Sequence, residues 1–126
     1  MRSYLIKKIN LVMLAVNDSL ALEVKQRNQA MNYLLETYPK AFDLCNRRPL
    51  KSSILDDIFE QKLEQQPDKN AIEQAFIYYS NWGSYLCALT TGAQCFDLDG
   101  KVCGEVNRAQ ELKAKLQLDM AEKKLS

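Results

Sequence analysis

One short stretch breaks the rhythm of this chain. At Gln94-Cys95-Phe96-Asp97-Leu98 the residues alternate in character. Asp99-Gly100 follows as a type I′ turn signal, and Lys101-Val102-Cys103 returns. A period of two around such a dipeptide predicts a β-hairpin. Gly104 is expected to break it. Elsewhere the apolar residues recur at steps of three and four, the period of a helix. The fold class expected is therefore mostly α with a small β-hairpin (α+β). At 126 residues, one domain suffices.

The helices can be placed by their punctuation. Leu5, Ile9, Val12, Val16, Leu20 and Val24 form an apolar stripe through residues 1–27, a helical leader that packs on the domain or on a second copy, or stays loosely attached. Residues 28–38 read as a helix with Met31, Leu34 and Leu35 on one face, stopped by Pro39. Ser53 with Asp56 reads as a shortened capping box for a helix whose stripe is Ile54, Leu55, Ile58, Phe59 and Leu63. After Gln65-Gln66-Pro67, Asp68 is an N-cap for a helix over 69–79 with Ile72, Ala75, Phe76 and Tyr79 inward. A short helix carries Trp82, Tyr85, Leu86 and Leu89, and Gly92 closes it. Asn107 with Gln110 opens a last helix over 108–124, expected to dock through Leu112, Leu116 and Met120. The chain then stops inside a charged helix, as an excised domain would. The expected division is a leader over 1–27 and a domain over 28–126.

Composition narrows the chemistry. There is no histidine, which removes His-based acid–base catalysis, Ser-His-Asp triads and His-ligated metals. Cys45, Cys87, Cys95 and Cys103 form no CxxC and read as small reduced core residues, with neither disulfide nor metal expected. Arg2, Lys7 and Lys8 before Leu11-Val12-Met13-Leu14-Ala15-Val16 imitate a signal peptide. The apolar run is too short and lacks a small-residue cleavage site. A cytoplasmic protein without a membrane span is expected. Asp56 and Asp57 are adjacent and point to different faces, poor geometry for an acid–base pair. Asp97 and Asp99 could be mistaken for metal ligands but suit a turn. Neither a phosphate-binding glycine loop nor a nucleophile with its base is found, so no enzyme and no cofactor is expected.

Binding chemistry is easier to find. Arg47, Arg48 and Lys51 gather just before a helix start, where donors and free amides suit a phosphate, though on this feature alone a solvated basic loop is the preferred reading. Asp68-Lys69-Asn70 offers a second set of amides, or ordinary capping. Tyr78, Tyr79, Trp82 and Tyr85 fall within eight residues. Such rings stack on unpaired bases when interleaved with basic residues, and are otherwise core. Tyr79 reads as core, and Tyr85 fits both.

Four motifs then stand in order. They are Tyr38-Pro39-Lys40-Ala41-Phe42, Arg48-Pro49-Leu50-Lys51-Ser52-Ser53-Ile54-Leu55-Asp56-Asp57-Ile58, Tyr79-Ser80-Asn81-Trp82-Gly83-Ser84-Tyr85-Leu86, and Phe96-Asp97-Leu98-Asp99-Gly100-Lys101-Val102-Cys103-Gly104-Glu105-Val106. Together they resemble the ProQ/FinO domain of bacterial RNA chaperones over roughly residues 30–108. The resemblance implies binding of stem-loops with a single-stranded, U-rich 3′ tail, as in intrinsic terminators of small RNAs and messages. It implies RNA stabilisation and support of pairing between small RNAs and mRNAs, by a monomer on the RNA, with no membrane and no metal. It places the 3′-end pocket at Lys51 and Tyr85, with Arg48 beside them, and the duplex contact at Asp68, Lys69 and Asn70. Ser80, Ser84, Arg47 and Lys40 complete the candidate RNA-binding set. Many members carry arginine where Ser84 and Cys95 stand, a basic residue where Glu73 stands, and glycine where Ser53 stands, so this binding face is the less charged one. The rival expectation is a helical protein-interaction module that does not bind RNA.

Overall fold

The computed structural model describes the backbone over residues 2–125 and the side chains over 20–122. Its elements run α1 (Arg2–Thr37), α2 (Ile54–Gln61), α3 (Lys69–Ser80), α4 (Gly83–Ala88), β1 (Gln94–Phe96), β2 (Val102–Glu105) and α5 (Arg108–Leu125). Helix α1 packs on α3, α2 and α4 also touch α3, and α5 lies against α4.

The leader and the helix expected over 28–38 are one continuous helix. What changes along it is packing. Leu20, Leu22 and Val24 are exposed, whereas Ala30, Met31 and Leu34 are buried. The stripe expected at Leu5, Ile9, Val12 and Val16 lies outside the described side chains. Pro39 ends α1 by pushing Tyr38 out of helical geometry. The Tyr38 N–H still closes the last turn on the Leu34 carbonyl at 2.9 Å.

Helix α3 forms the centre. Asp68 caps it, accepting from the Ala71 N–H at 2.8 Å, and Ile72, Ala75 and Tyr79 are buried on its inner face. Leu34, Phe42, Ile54 and Ile58 close around them. Each such aliphatic side chain contributes about 1.5–3 kcal/mol by leaving water. Tyr79 is fully buried yet satisfied: its hydroxyl accepts from the Asp43 N–H at 3.1 Å and donates to the Asp43 carbonyl at 3.2 Å. Burial pushes its phenol above the ordinary value.

Several local expectations are corrected. Ser53 stands at the N-cap of α2 but makes no capping hydrogen bond. The turn is instead closed by the Ile54 N–H on the Lys51 carbonyl. Helix α2 ends at Lys62 in the left-handed region, φ 48°, which leaves Leu63 exposed outside the stripe. Gly92 lies in the turn beyond α4, which ends at Ala88. The hairpin turn is wider than two residues. Asp97 Oδ1 accepts from both the Asp99 and Lys101 N–H groups at 2.9 Å, and only Gly100 has positive φ, 76°. Strand β2 runs on through Gly104, with a bulge between Cys95 and Phe96 on β1.

Helix α5 opens as expected, with Asn107 and Gln110 exchanging hydrogen bonds at 2.8 Å, but it docks through another face. Ala114 is buried, whereas Leu112, Leu116 and Met120 are exposed. The small alanine allows close approach to α4. The Glu111 carboxylate accepts from the Thr91 N–H, fixing the helix rotation. The four cysteines are free, and only Cys95 is in the core; Cys45, Cys87 and Cys103 are exposed.

Candidate nucleic-acid interface

The segment Arg48-Pro49-Leu50-Lys51 is held as an extra strand on the hairpin edge. The Lys51 N–H donates to the Phe96 carbonyl at 2.9 Å, and the Phe96 N–H donates to the Pro49 carbonyl at 3.0 Å. Proline suits this edge because it brings an acceptor without needing a partner for an N–H. Between the two ladder bonds the Leu50 N–H turns inward and donates to the Tyr85 hydroxyl at 3.3 Å. Tyr85 is thus a core residue by burial, 7% exposed, with its ring edge-on to Tyr79 at 5.9 Å. Burial raises its phenol above the ordinary 10.0, so the hydroxyl keeps its proton at neutral pH.

Tyr85 also lines a cavity of about 380 Å³ together with Lys51, Ser80, Asn81 and Ser52. Lys113 of α5 completes its rim. This recess is bordered by two lysines, three hydroxyls and the amides of Asn81, Gln110 and Gln117 around apolar side chains, and Lys51 also borders an acidic cavity with Asp57, Glu60, Asp97 and Asp99. Lys51 is half-exposed and oriented by Asp57, with Nζ 2.8 Å from Oδ2. That hydrogen bond holds the ammonium above its ordinary value, so Lys51 is charged throughout the neutral range.

The structure brings together Lys51, Tyr85 and Ser80, and disperses the other candidates. Arg48 donates to the Lys40 carbonyl at 2.6 Å and lies 4.0 Å over the Phe96 ring. It fastens the loop to the hairpin. Arg47 donates to the Tyr79 carbonyl at 3.2 Å and stacks near Tyr79 and Trp82. Lys40 is exposed beside Gly100. Ser84 is exposed on α4 and lines none of the described cavities. At the other end of α3, about 17 Å from Ser80 at 1.5 Å per residue, Asp68 caps, Lys69 lies over Phe59 and Asn70 lines a separate cavity with Arg27. Sequence reasoning missed Lys113, Asn81 and Ser52. Ser52 and Asn81 had a signal, since both lie inside the motif blocks around Lys51 and Tyr85; Lys113 had none.

This arrangement can hold a phosphate and neighbouring hydroxyls with ammonium, hydroxyl and amide groups in a recess. Residues 24–126 match the ProQ/FINO family. The chain belongs to the ProQ/FinO family.

Family relatives include an RNA chaperone ProQ of Alteromonas mediterranea, 32% identical over 98 residues, covering 76% of this chain and 44% of the relative. Another, an RNA chaperone ProQ of Pasteurella multocida, is 31% identical over 107 residues, covering 82% and 50%. The chain spans about half the length of these curated relatives. Among solved structures, a ProQ homolog from Legionella pneumophila superposes with a TM-score of 0.63 at 27% identity, covering 75% of this chain and 81% of that one. A FinO-like RNA chaperone from Neisseria meningitidis MC58 gives 0.59 at 25% identity, covering 72% and 92%. The mostly helical ProQ/FinO fold with its hairpin is therefore the fold of this chain. The family match starts within α1, six residues before Ala30, the first buried position among the described side chains.

Proposed function

We propose that this chain is a cytoplasmic RNA chaperone domain that binds terminator-like stem-loops by their unpaired, U-rich 3′ tails. It does so without catalysis or cofactor, as a monomer on small RNAs and mRNAs. The observation that carries this reading is the convergence of Lys51, Tyr85 and Lys113 on one cavity. The relatives named RNA chaperone support it. Lys51 and Lys113 take the last internal phosphate of the tail, Ser80 and Ser52 face the hydroxyls of the free 3′ ribose, and Tyr85 holds the wall against which they sit. The amide end of α3 at Asp68, Lys69 and Asn70 meets the duplex backbone, which is read by shape because the A-form major groove is too deep for side chains. Residues 28–126 form the binding unit and 1–27 its leader. No helix among the described residues is long and apolar enough to cross a membrane.

The test is a competition titration at one salt with four RNAs: an intact tailed hairpin, the same with a 3′ phosphate, without its tail, and with a changed loop. A basic surface alone cannot tell a 3′ end from an internal phosphate. A recess can, because a 3′ phosphate adds about 1.5–2 negative charges and bulk. The expected result is at least tenfold weaker binding for the second and third RNAs and little change for the fourth. Equal affinities for the first three would sink the 3′-end reading.

A second reading, a helix-docking protein module, is favoured by the exposed Leu112, Leu116 and Met120 on α5. A gel shift with the tailed hairpin at moderate salt separates the two: under this reading no complex forms.

A further inference from the structure

A second concentration of binding chemistry lies on a face that the 3′-end reading leaves unused. Tyr78 and Trp82, across the α3–α4 junction, meet edge to face with ring centroids 5.8 Å apart. They stay 39% and 48% exposed. Arg27 of α1 lays its guanidinium 3.9 Å from the Tyr78 centroid. Arg47 places its own 5.0 Å from the Trp82 centroid. Arg27, Tyr78 and Trp82 line a cavity of about 450 Å³, to which Gln74 and Asn81 add amides, while Arg47 backs Trp82 from outside it. Two large rings left in water, flanked by two positioned guanidinium groups, form a surface that core packing does not require. Exposed rings and arginines stack unpaired bases with little regard to sequence, and each stacked base strengthens binding about fivefold or more. Side-chain amides supply donors and acceptors for base edges.

We propose that Tyr78, Trp82, Arg27 and Arg47 form a stacking platform for unpaired nucleotides of RNA, distinct from the cavity at Lys51. A duplex keeps its base faces inside the stack and cannot use it. The platform has a direction. Asn70, Gln74, Tyr78 and Asn81 follow one another at steps of four, four and three along α3, so they share one face of the helix. Asn81 lines both this cavity and the one at Lys51. Arg27 lines both this cavity and the one at Asn70. A single strand lying on the rings therefore follows α3 from its capped end towards the Lys51 cavity. A protein partner would use the same tryptophan, tyrosine and arginine as anchors. Continuity through Asn81 with a cavity of cations and hydroxyls favours RNA. The platform asks for no 3′ end, and its assignment to RNA rests on the proposed function of the adjoining cavity.

The chain has one tryptophan, so its fluorescence reports this face. The probe is a small circular oligouridylate, which is single-stranded and has no 3′ end, compared with a blunt duplex. The circle should quench Trp82 saturably and the duplex should not. Binding of the labelled circle, followed by anisotropy, should weaken about tenfold in Trp82→Ala, and about fivefold or more in Tyr78→Ala. It should stay within about threefold of the parent in Trp82→Phe, which keeps a stacking ring. Unchanged helical circular dichroism in the alanine variants shows that they fold. Lys51→Ala should weaken the tailed hairpin by a larger factor than it weakens the circle. A circle that fails to bind, that binds without quenching Trp82, or that binds Trp82→Ala as it binds the parent overturns the platform. Retained 3′-end discrimination in the same protein then leaves the proposed function standing.

Discussion

Tyr85 is the residue whose substitution tests the site and the fold together. Its hydroxyl is the acceptor that the structure provides for the Leu50 N–H, at 3.3 Å and buried. Leu50 itself is 6% exposed, so water does not replace a lost partner. Tyr85→Phe keeps the ring against Tyr79 and removes only that acceptor. An orphaned buried donor costs about 1–3 kcal/mol. For a chain of this size each kcal/mol moves Tm by about 3–5 °C, so a fall of roughly 3–15 °C is expected. Tyr85→Ala also removes the ring, at about 3–5 kcal/mol. That is a large share of the 5–15 kcal/mol typical of a domain. The assay is thermal unfolding followed by circular dichroism, with a tailed-hairpin titration on the same samples. Because Leu50 is followed by Lys51 in the strand held to β1, loosening the Leu50 N–H should also weaken hairpin binding in Tyr85→Phe. A Tm and an affinity both equal to the parent's would refute the assignment of Tyr85 as the post that fixes the Lys51 strand.

Three further outcomes are expected. Gly100→Ala should lower the urea midpoint by an amount equivalent to at least about 1–2 kcal/mol, the cost of left-handed backbone for an L-residue; its new Cβ would also come within 2.9 Å of Lys40 Cβ, and an unchanged midpoint would show that the turn relaxes freely. Lys113→Ala should weaken tailed-hairpin binding and make the slope of log K against log salt shallower by about 0.7–0.9, one phosphate contact; an unchanged slope places Lys113 outside the interface. Glu111 is held below its ordinary 4.5 by the Thr91 N–H and then by Lys115. Its contribution to stability is thus present above that value and lost as pH falls through the lowered one. Glu111→Gln should flatten the acid side of a urea-midpoint profile, and a profile parallel to the parent's would sink the linkage.

What was legible in the sequence is what is decided locally. The Asp68 cap, the Asn107–Gln110 exchange and the stop at Pro39 each involve groups within four residues of one another, and they formed as read. The face of α5 was not legible. A row of Leu112, Leu116 and Met120 at steps of four looks like a docking stripe. Rotation of the helix was decided by the Thr91 N–H, twenty residues away, and by room for Ala114 against α4. The same limit applies to the site. Sequence shows which residues carry charge, not which charges are already engaged. Arg47 and Arg48 looked like phosphate ligands. They are donors to the Tyr79 and Lys40 carbonyls and lie against aromatic rings. Lys113 looked like one more solvated lysine until α5 brought it to the cavity.

These engagements bear on how a chain with net charge +1 can hold RNA. With Arg47 and Arg48 fastened to the fold, few of the candidate cations remain to release counterions. If Lys51, Lys113 and Lys69 each met one phosphate, as proposed, the salt slope would be about −2 to −3. A long-range field of that size attracts RNA weakly and falls off within a Debye length, about 8 Å at physiological salt. Affinity must then come from groups fixed before the RNA arrives. Lys51 is already oriented by a carboxylate, the Tyr85 hydroxyl is already committed to Leu50, and the arginines already lie against rings. Side chains held in place lose less freedom on binding than mobile lysines do, at about 0.5–1.5 kcal/mol for each side chain immobilised. The low charge and the dense internal bonding of the cations thus point the same way: towards recognition by shape, stacking and a fixed recess, with a modest dependence on salt.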